Sequence, residues 1–215
     1  MFAGGTEASI TPLIIGGFCA SGSLSQRNDE PEKASRPFDK ERDGFIMSEG
    51  ACIFVLESLE NAIARNAPVY AEIKGYATTS DAYSVVKIDP TGKQAARAMY
   101  NAIKEAGLKP KEIDYINAHG SSSLVSDMRE TNAIKMAFND HAYKIPISSI
   151  KSMIGHPFAA AGGLQVAASI MAINEGILPP TINYEKPDPN CDLDYVPNEA
   201  RAHKARHALV NSLGM

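Results

Sequence analysis

Short apolar runs alternate with segments of helical spacing along most of the chain. The run at 51–57 has the length of a strand, 93–106 repeats apolar residues on one helical face, and 158–173 is apolar nearly all round. We therefore predict strands over 1–5, 51–57, 69–77, 113–117, 145–148 and 208–211, and helices over 10–20, 59–65, 93–106, 127–138 and 157–173. Strands that alternate with helices indicate an α/β fold. The first strand is expected to be buried under the first helix, and 51–57 to be a central strand.

A polar segment interrupts this pattern at 26–43, where prolines and many charges predict a long surface loop. In and beside this loop lies a dense charge cluster made of Arg36, Asp39, Arg42, Asp43 and Glu49. Such clusters are usually solvated. The alternative is a buried network of ion pairs that ties the loop to the core.

Composition is that of an ordinary globular chain, with 44% hydrophobic and 21% charged residues. A net charge of −4 and the lack of a basic stripe argue against nucleic-acid binding. The longest apolar run is too short to span a bilayer. No signal peptide is expected before the first turn. Three cysteines without CxxC spacing, Cys19, Cys52 and Cys191, predict inert thiols in a reducing compartment, which is the cytoplasm in the simplest interpretation.

The strongest candidate for chemistry is the segment 148–165. It has the pattern of a strand end, a polar loop with Lys151 and His156, and a helix whose first position suits Pro157. Because a helix N-terminus carries partial positive charge, His156 should resist protonation and act as a neutral N–H donor. His119 lies at the end of another predicted strand. Two imidazoles and a lysine at strand ends predict a functional site.

Competing uses of these residue types are weaker. The histidine pair lacks cysteines or carboxylates at ligand spacing, so neither a metal nor a cofactor is expected. The serine run 121–123 has no nucleophile elbow, and Ser121 and Ser123 are better explained as hydrogen-bond donors to a ligand or as a helix N-cap. The remaining histidines, at 141, 203 and 207, are expected to be solvated.

Six sequence motifs then identify a relationship, at 3–8, 35–45, 117–120, 151–156, 178–183 and 191–197. In that order, and with similar gaps, the chain resembles the elongating β-ketoacyl-acyl-carrier-protein synthases of class II, in the thiolase superfamily. The resemblance implies a thiolase-like, layered αβαβα fold. It also implies an acyltransferase of fatty acid or polyketide-like synthesis, which condenses malonyl-acyl carrier protein with an enzyme-bound acyl chain by decarboxylative Claisen chemistry. Acyl carrier protein and a second copy of the chain are the implied partners.

The resemblance also assigns roles. His119 and His156 match the two imidazoles of the oxyanion hole, and Lys151 matches the lysine that orders the site and balances its charge. Ser121 and Ser123 are implied to contact substrate. Met215 aligns with a phenylalanine that gates the acyl site.

Only the second half of such a synthase is matched. Residues 1–67 correspond to the end of the first thiolase-like half, and 68–215 to most of the second. The family's nucleophilic cysteine lies before the matched part, so we expect this chain to be a fragment that is inactive alone.

Several positions depart from the family pattern: Gln165 for a glutamate, Val86 and Ile154 for threonines, Ser84 for a histidine, Met215 for the phenylalanine and Gly22 for a carrier-docking arginine. Together they suggest a specialised synthase. They also leave open a non-catalytic subunit that resembles a chain-length factor. A thiolase is a weaker alternative, because the late glycine-flanked cysteine of that class is absent.

Overall fold

The computed structural model describes residues 1–84 and 88–214, and it confirms the mixed α/β architecture. The helices are Pro12–Ser21 (α1), Leu59–Ala64 (α2), Lys93–Glu105 (α3), Leu124–Phe138 (α4), Lys151–Ile154 (α5) and Phe158–Glu175 (α6). The strands are Phe2–Glu7 (β1), Gly50–Val55 (β2), Tyr115–Asn117 (β3), Ile147–Ser148 (β4), Ile177–Leu178 (β5), Arg201–Ala202 (β6) and Ala208–Val210 (β7). None of the helices in these ranges has the length and apolarity needed to cross a bilayer.

The core is organised by a parallel three-stranded sheet in the order β4-β3-β7. In register, Ile116 of β3 lies between Ile147 of β4 and Leu209 of β7, and both isoleucines are fully buried. Helices α3 and α4 pack together, and their apolar residues Met99 and Ile134 join the same core cluster. Because parallel strands end at one edge, the loops after β3, β4 and β7 meet there.

A second sheet is the antiparallel pair β1–β2, which packs on α6. The approach is close: a Cβ at Gly5 would lie 2.0 Å from the carbonyl oxygen of Ala159, so only glycine fits. Two expectations are wrong here. Strand β1 contacts α6 rather than being buried under α1, and Phe2 is largely exposed. In the part of the chain that the structure describes, strand β2 pairs with β1 alone, so it is not central.

Residues 69–77 form no strand, although their apolar and polar residues alternate. Their main chain bonds to helix side chains instead: the Tyr76 N–H donates to Glu105, and the Tyr70 carbonyl accepts from Asn174. A strand requires a ladder partner, and alternation of residues cannot supply one.

Helix α6 differs from its prediction in two ways. Pro157 is the N-cap residue and not the first helical residue. The buried positions form one stripe along the helix, through Ala161, Gln165 and Ala172, while Met171 is 57% exposed. The segment is apolar nearly all round, but only this stripe faces the sheet.

The charge cluster of the 26–43 loop is buried in part, against the solvated-loop prediction. Arg36, Asp39 and Arg42 are at most 3% exposed, whereas Asp43 and Glu49 lie at the surface. The alternative interpretation is therefore correct for the first three.

The Arg36 side chain hydrogen-bonds locally, to the Lys33 carbonyl at 3.0 Å and to Asp39 at 3.4 Å, whereas Asp39 and Arg42 also have partners from distant parts of the chain. Arg42 donates to Asp188 at 2.7 Å, and its Nε lies 3.7 Å from the buried Asp127 of α4. Asp39 accepts the backbone N–H groups of Glu185 and Lys186 at 2.7 and 2.6 Å. The network fastens the loop to α4 and to the segment 185–188.

Candidate active site

The structure brings the three predicted side chains together at the carboxyl edge of the parallel sheet. His119 follows β3, Lys151 begins α5 after β4, and His156 precedes α6 by two residues. The centroids of the two imidazole rings are 5.2 Å apart, and the ring planes meet at 77°. The Lys151 ammonium donates to the His119 carbonyl at 2.7 Å.

Backbone donors determine the tautomer of each imidazole. The Leu213 N–H donates to Nδ1 of His119 at 3.2 Å, and the Phe158 N–H donates to Nδ1 of His156 at 3.1 Å. A ring nitrogen that accepts a hydrogen bond carries no proton, so in each neutral ring the proton is on Nε2. Within residues 1–84 and 88–214, no backbone carbonyl accepts from the Nε2–H of either imidazole.

Both rings are neutral at physiological pH. Burial, followed by the charge of Lys151, lowers the pKa of His119 well below its ordinary value of 6.5. The same two causes lower the pKa of His156 to about 4. The predicted neutrality rests mainly on burial, and the helix N-terminus that motivated it is not the leading cause.

Lys151 is 1% exposed and reaches two neutral acceptors, the His119 carbonyl and Oε1 of Gln165 at 3.2 Å. Burial lowers its pKa to about 8, against the opposing effect of the Glu130 and Asp127 carboxylates. At pH 7 the side chain is still an ammonium. A cation is thus buried beside the His119 ring.

Sequence reasoning missed Glu130, which supports the His119 loop from beneath. Its carboxylate accepts the N–H groups of His119 and Gly120 at 2.7 and 2.8 Å, and the Asn211 amide at 2.6 Å. Gly120 is required because its φ is +38° and a Cβ would lie 2.4 Å from Ser149. The sequence feature that could have revealed this role is an acidic residue on the face of the predicted helix that packs against the core.

Aromatic rings and backbone pairing hold His156. The ring stacks on Phe158 with centroids 4.7 Å apart and meets Phe45 at 5.4 Å. The His156 N–H donates to the Ile46 carbonyl at 2.7 Å, and its carbonyl accepts from the Ser48 N–H at 3.2 Å. These contacts make one side of the site apolar and tie it to the segment 45–48.

The serine run follows His119 and Gly120. The Ser121 and Ser123 hydroxyls are 3.3 Å apart, and Ser122 accepts the Arg36 N–H. Ser123 is the N-cap residue of α4, but its hydroxyl makes no capping bond. The run therefore places two serine hydroxyls within four residues of His119 along the chain.

The structure describes some of the positions that depart from the family pattern and not others. Val86 and Met215 lie outside the described residues, so the structure does not describe the proposed gating position. Gly22 ends α1 in the left-handed conformation at φ +67°, where an arginine would be strained. Ile154 is 38% exposed beside Gly155. Across the described ranges, no three or more histidine, cysteine, aspartate or glutamate side chains are grouped as ligands for a metal ion.

Two neutral N–H donors in a buried, partly apolar site can stabilise negative charge that develops on an oxygen atom. They would do so without a proton transfer, since neither ring is charged. This is the chemistry that the arrangement supports.

Comparison with known sequences identifies related proteins. The family described as "Beta-ketoacyl synthase, N-terminal domain" matches residues 1–62, and "Beta-ketoacyl synthase, C-terminal domain" matches residues 70–185. The chain is 54% identical over 214 residues to 3-oxoacyl-[acyl-carrier-protein] synthase 2 of Synechocystis, and 53% identical to that of Coxiella burnetii. It spans about half the length of these curated relatives, 51% and 52%, while all of the chain is matched.

Solved structures give the same result. A ketosynthase in complex with its acyl-carrier protein, AntDE:AntF, superposes with a TM-score of 0.95 at 44% identity, over 98% of this chain and 52% of that one. A β-ketoacyl synthase from Burkholderia phymatum superposes with a TM-score of 0.93 at 39% identity, over 100% of this chain and 51% of that one. The likeness confirms the predicted fold.

Proposed function

Because the chain belongs to the β-ketoacyl synthase family, whose fold is thiolase-like, we propose that it is part of a condensing enzyme that extends an acyl chain with malonyl units. The observation that carries the proposal is the pair of neutral imidazoles, His119 and His156, each with its proton directed to Nε2 by a backbone N–H. Residues 1–67 and 68–215 are proposed as parts of the two thiolase-like halves, and the matches at 1–62 and 70–185 support this division.

The proposed step begins with the loss of carbon dioxide from a malonyl thioester. The bond to the carboxylate breaks, and its electron pair moves through the methylene carbon onto the thioester oxygen. His119 and His156 donate hydrogen bonds from Nε2 to this enolate oxygen, and their strength is increased by the buried environment. The enolate carbon then attacks the carbonyl of an enzyme-bound acyl thioester, a carbon–carbon bond forms, and the enzyme thiolate leaves.

Lys151 has a supporting role in this proposal. Its ammonium holds the His119 carbonyl, and its charge helps keep both imidazoles neutral. Ser121 and Ser123 are proposed to donate to the incoming substrate because they lie in the loop that follows His119, with hydroxyls 3.3 Å apart. Met215 is proposed to line the acyl site on the strength of the family resemblance alone.

The partners proposed are acyl carrier protein, loaded with acyl or malonyl groups, and a second copy of the chain. The AntDE:AntF complex, in which a similar ketosynthase is bound to its carrier protein, supports the first. The acyl-carrying cysteine is proposed to come from the part of a synthase that this chain does not match. Cys191 is unsuitable, since burial raises its pKa to about 11. The cytoplasm is the proposed location.

A subunit that resembles a chain-length factor is the rival. A structure titled as a ketosynthase/chain length factor pair superposes on this chain with a TM-score of 0.87 at 36% identity. The amide of Gln165 in place of a carboxylate beside Lys151 also favours it. Two N–H donors fixed in one tautomer favour the enzyme, because a non-catalytic subunit has no oxyanion to stabilise.

A hybrid protein tests the proposal, in which residues 1–214 replace the matching half of the Synechocystis synthase. Release of carbon dioxide from malonyl-acyl carrier protein is measured for the hybrid and for its His119→Ala and His156→Ala variants. Each variant should lower kcat at least about 100-fold, as loss of one oxyanion donor does elsewhere. His203→Ala, on the far side of the sheet, is the control and should stay within about twofold.

A hybrid that releases no carbon dioxide, although the unmodified Synechocystis enzyme does, would favour the chain-length-factor role. Full activity in either alanine variant would contradict the oxyanion assignment.

A further inference from the structure

Gln165 lies in the middle of α6 with its side chain 1% exposed. Its two amide atoms face different partners. Oε1 accepts from the Lys151 ammonium at 3.2 Å. Nε2 lies 2.7 Å from the carbonyl oxygen of Ala118 and 3.1 Å from that of Asn211, with two longer contacts to Asn117. An amide nitrogen has two protons, and the two shortest contacts account for both.

These two carbonyls belong to neighbouring strand ends. Ala118 is the residue before His119, at the end of β3. Asn211 follows β7 and lies two residues before Leu213, whose N–H donates to Nδ1 of His119. The Gln165 amide therefore joins the strand end that carries the ring to the one that carries its backbone donor.

We propose that Gln165 is a positioning residue that keeps the Leu213 N–H aimed at Nδ1 of His119, and so keeps the His119 proton on Nε2. The proposal rests on the proposed function for its catalytic meaning, since only Nε2–H faces the reacting oxygen in that scheme. The amide oxygen accepts a hydrogen bond from Lys151, and the amide nitrogen maintains the geometry that determines the His119 tautomer. Gln165 itself touches no substrate atom in this scheme.

Ser169 provides a matched control. It lies one turn further along the same buried stripe and is 4% exposed. Its hydroxyl accepts from the Asn117 amide at 3.2 Å and donates to the main-chain carbonyl of Gln165 at 2.8 Å. It contacts neither of the carbonyls that Nε2 of Gln165 joins. Ser169→Ala should therefore remove two buried hydrogen bonds, one of them to the Gln165 main chain, while leaving the Gln165 amide and the position of Leu213 relative to His119 unchanged.

The first measurement is the tautomer of His119 in the 215-residue chain, read from ¹⁵N chemical shifts of labelled histidine. The wild type and Ser169→Ala should show protonated Nε2 and unprotonated Nδ1. Gln165→Asn, one methylene too short to reach both strand ends, should show both tautomers. Gln165→Leu preserves side-chain volume and should give the same result if the asparagine variant does not fold. A single Nε2–H tautomer in a folded Gln165 variant would overturn the proposal.

The second measurement is decarboxylation by the hybrid described above. Gln165→Asn should lower kcat about tenfold with KM within twofold, because the Nε2–H bond strengthens in the transition state. Leu213→Pro removes the N–H and should also lower kcat, whereas Leu213→Ala keeps it. If Gln165 acts through Leu213, adding Gln165→Asn to Leu213→Pro should cause little further loss. Additive losses, or an equal loss in Ser169→Ala, would overturn the proposal.

The two measurements separate the possible failures. An inactive wild-type hybrid would count against the proposed function, while the ¹⁵N spectra would still decide the role of Gln165. An active hybrid with unchanged Gln165 variants would count against the inference alone.

Discussion

Histidines lie at both ends of the central strand β3, and the two groups are built differently. At the carboxyl end, His119 and His156 accept backbone N–H groups at Nδ1. At the amino end, three partly buried imidazoles each bond to a backbone carbonyl of residues 112–114. These are His141 with Ile113 at 3.3 Å, His203 with Asp114 at 3.1 Å, and His207 with Glu112 at 3.0 Å.

A carbonyl can only accept, so each ring at the amino end donates its N–H to the fold. At the carboxyl end the backbone donates, and the ring N–H is left for another acceptor. The difference shows that the backbone group facing an imidazole decides whether the side chain supports structure or is available for chemistry. It also corrects the prediction that the amino-end histidines are simply solvated.

A buried carboxylate at the carboxyl end of β3 and a partly buried one at the amino end show the same contrast. Substitution of the buried carboxylate should give the largest decrease in the free energy of unfolding. Glu130, which is fully buried, accepts three N–H donors at the carboxyl end. Asp114, at the amino end and partly buried, accepts the N–H groups of Arg206 and His207. Glu130→Ala should lower the free energy of unfolding by about 3 kcal/mol, because it leaves several buried donors unpaired. Asp114→Ala should cost about 1 kcal/mol.

Urea unfolding of the 215-residue chain measures both variants. Equal losses would show that burial does not separate the two ends of the strand.

Acid should weaken the carboxyl end next. The folded-state pKa of His156 is about 4, below the ordinary value of 6.5. Folding favours the neutral ring, so the free energy of unfolding is highest above pH 6.5, where the unfolded chain is also neutral. It decreases as pH falls from 6.5 towards 4, because in that range the unfolded chain binds a proton at this residue and the folded chain does not. His119 acts in the same direction, since its pKa is also lowered.

His156→Gln should remove part of this acid sensitivity, about 2 kcal/mol between pH 6.5 and pH 5. Urea midpoints of the wild type and the variant across this range provide the check. Parallel pH curves for the two proteins would contradict the lowered pKa.

The smallest effect is expected at the amino end. His203→Ala and His207→Ala each remove one ring N–H donated to a backbone carbonyl, which should cost about 1 kcal/mol of unfolding free energy. Decarboxylation by the hybrid should not change beyond twofold, since neither ring lies at the carboxyl edge. A large loss of activity with normal stability would place these histidines in the catalytic machinery and remove the contrast.

The sequence predicted the parts of this molecule that depend on local pattern. Helix α3 follows from its apolar spacing, and His119, Lys151 and His156 were found because each lies at or just beyond a strand end. Their backbone donors could not be predicted. The Leu213 N–H meets His119 across 94 residues, and only the pairing of β7 with β3 brings it there.

The prediction that the charge cluster of the 26–43 loop is solvated was wrong for the same reason. Arg42 is buried because Asp188 meets it from 146 residues away, and no local signal marks that partner. Residues 69–77 show the opposite error. Their alternating apolar and polar residues predicted a strand, but no neighbouring strand pairs with them in the described residues.

The backbone pairing of His156 with Ile46 and Ser48 has a practical consequence for dividing or exchanging parts of such proteins. A polypeptide limited to residues 70–185 would contain both imidazoles and the lysine, yet it would omit the main-chain groups that seat His156 and the N–H that orients His119. The segment to be transplanted must therefore include every main-chain group that hydrogen-bonds to the loops around the pocket. A cut at a domain boundary would remove some of these groups, although it would keep both imidazoles and the lysine.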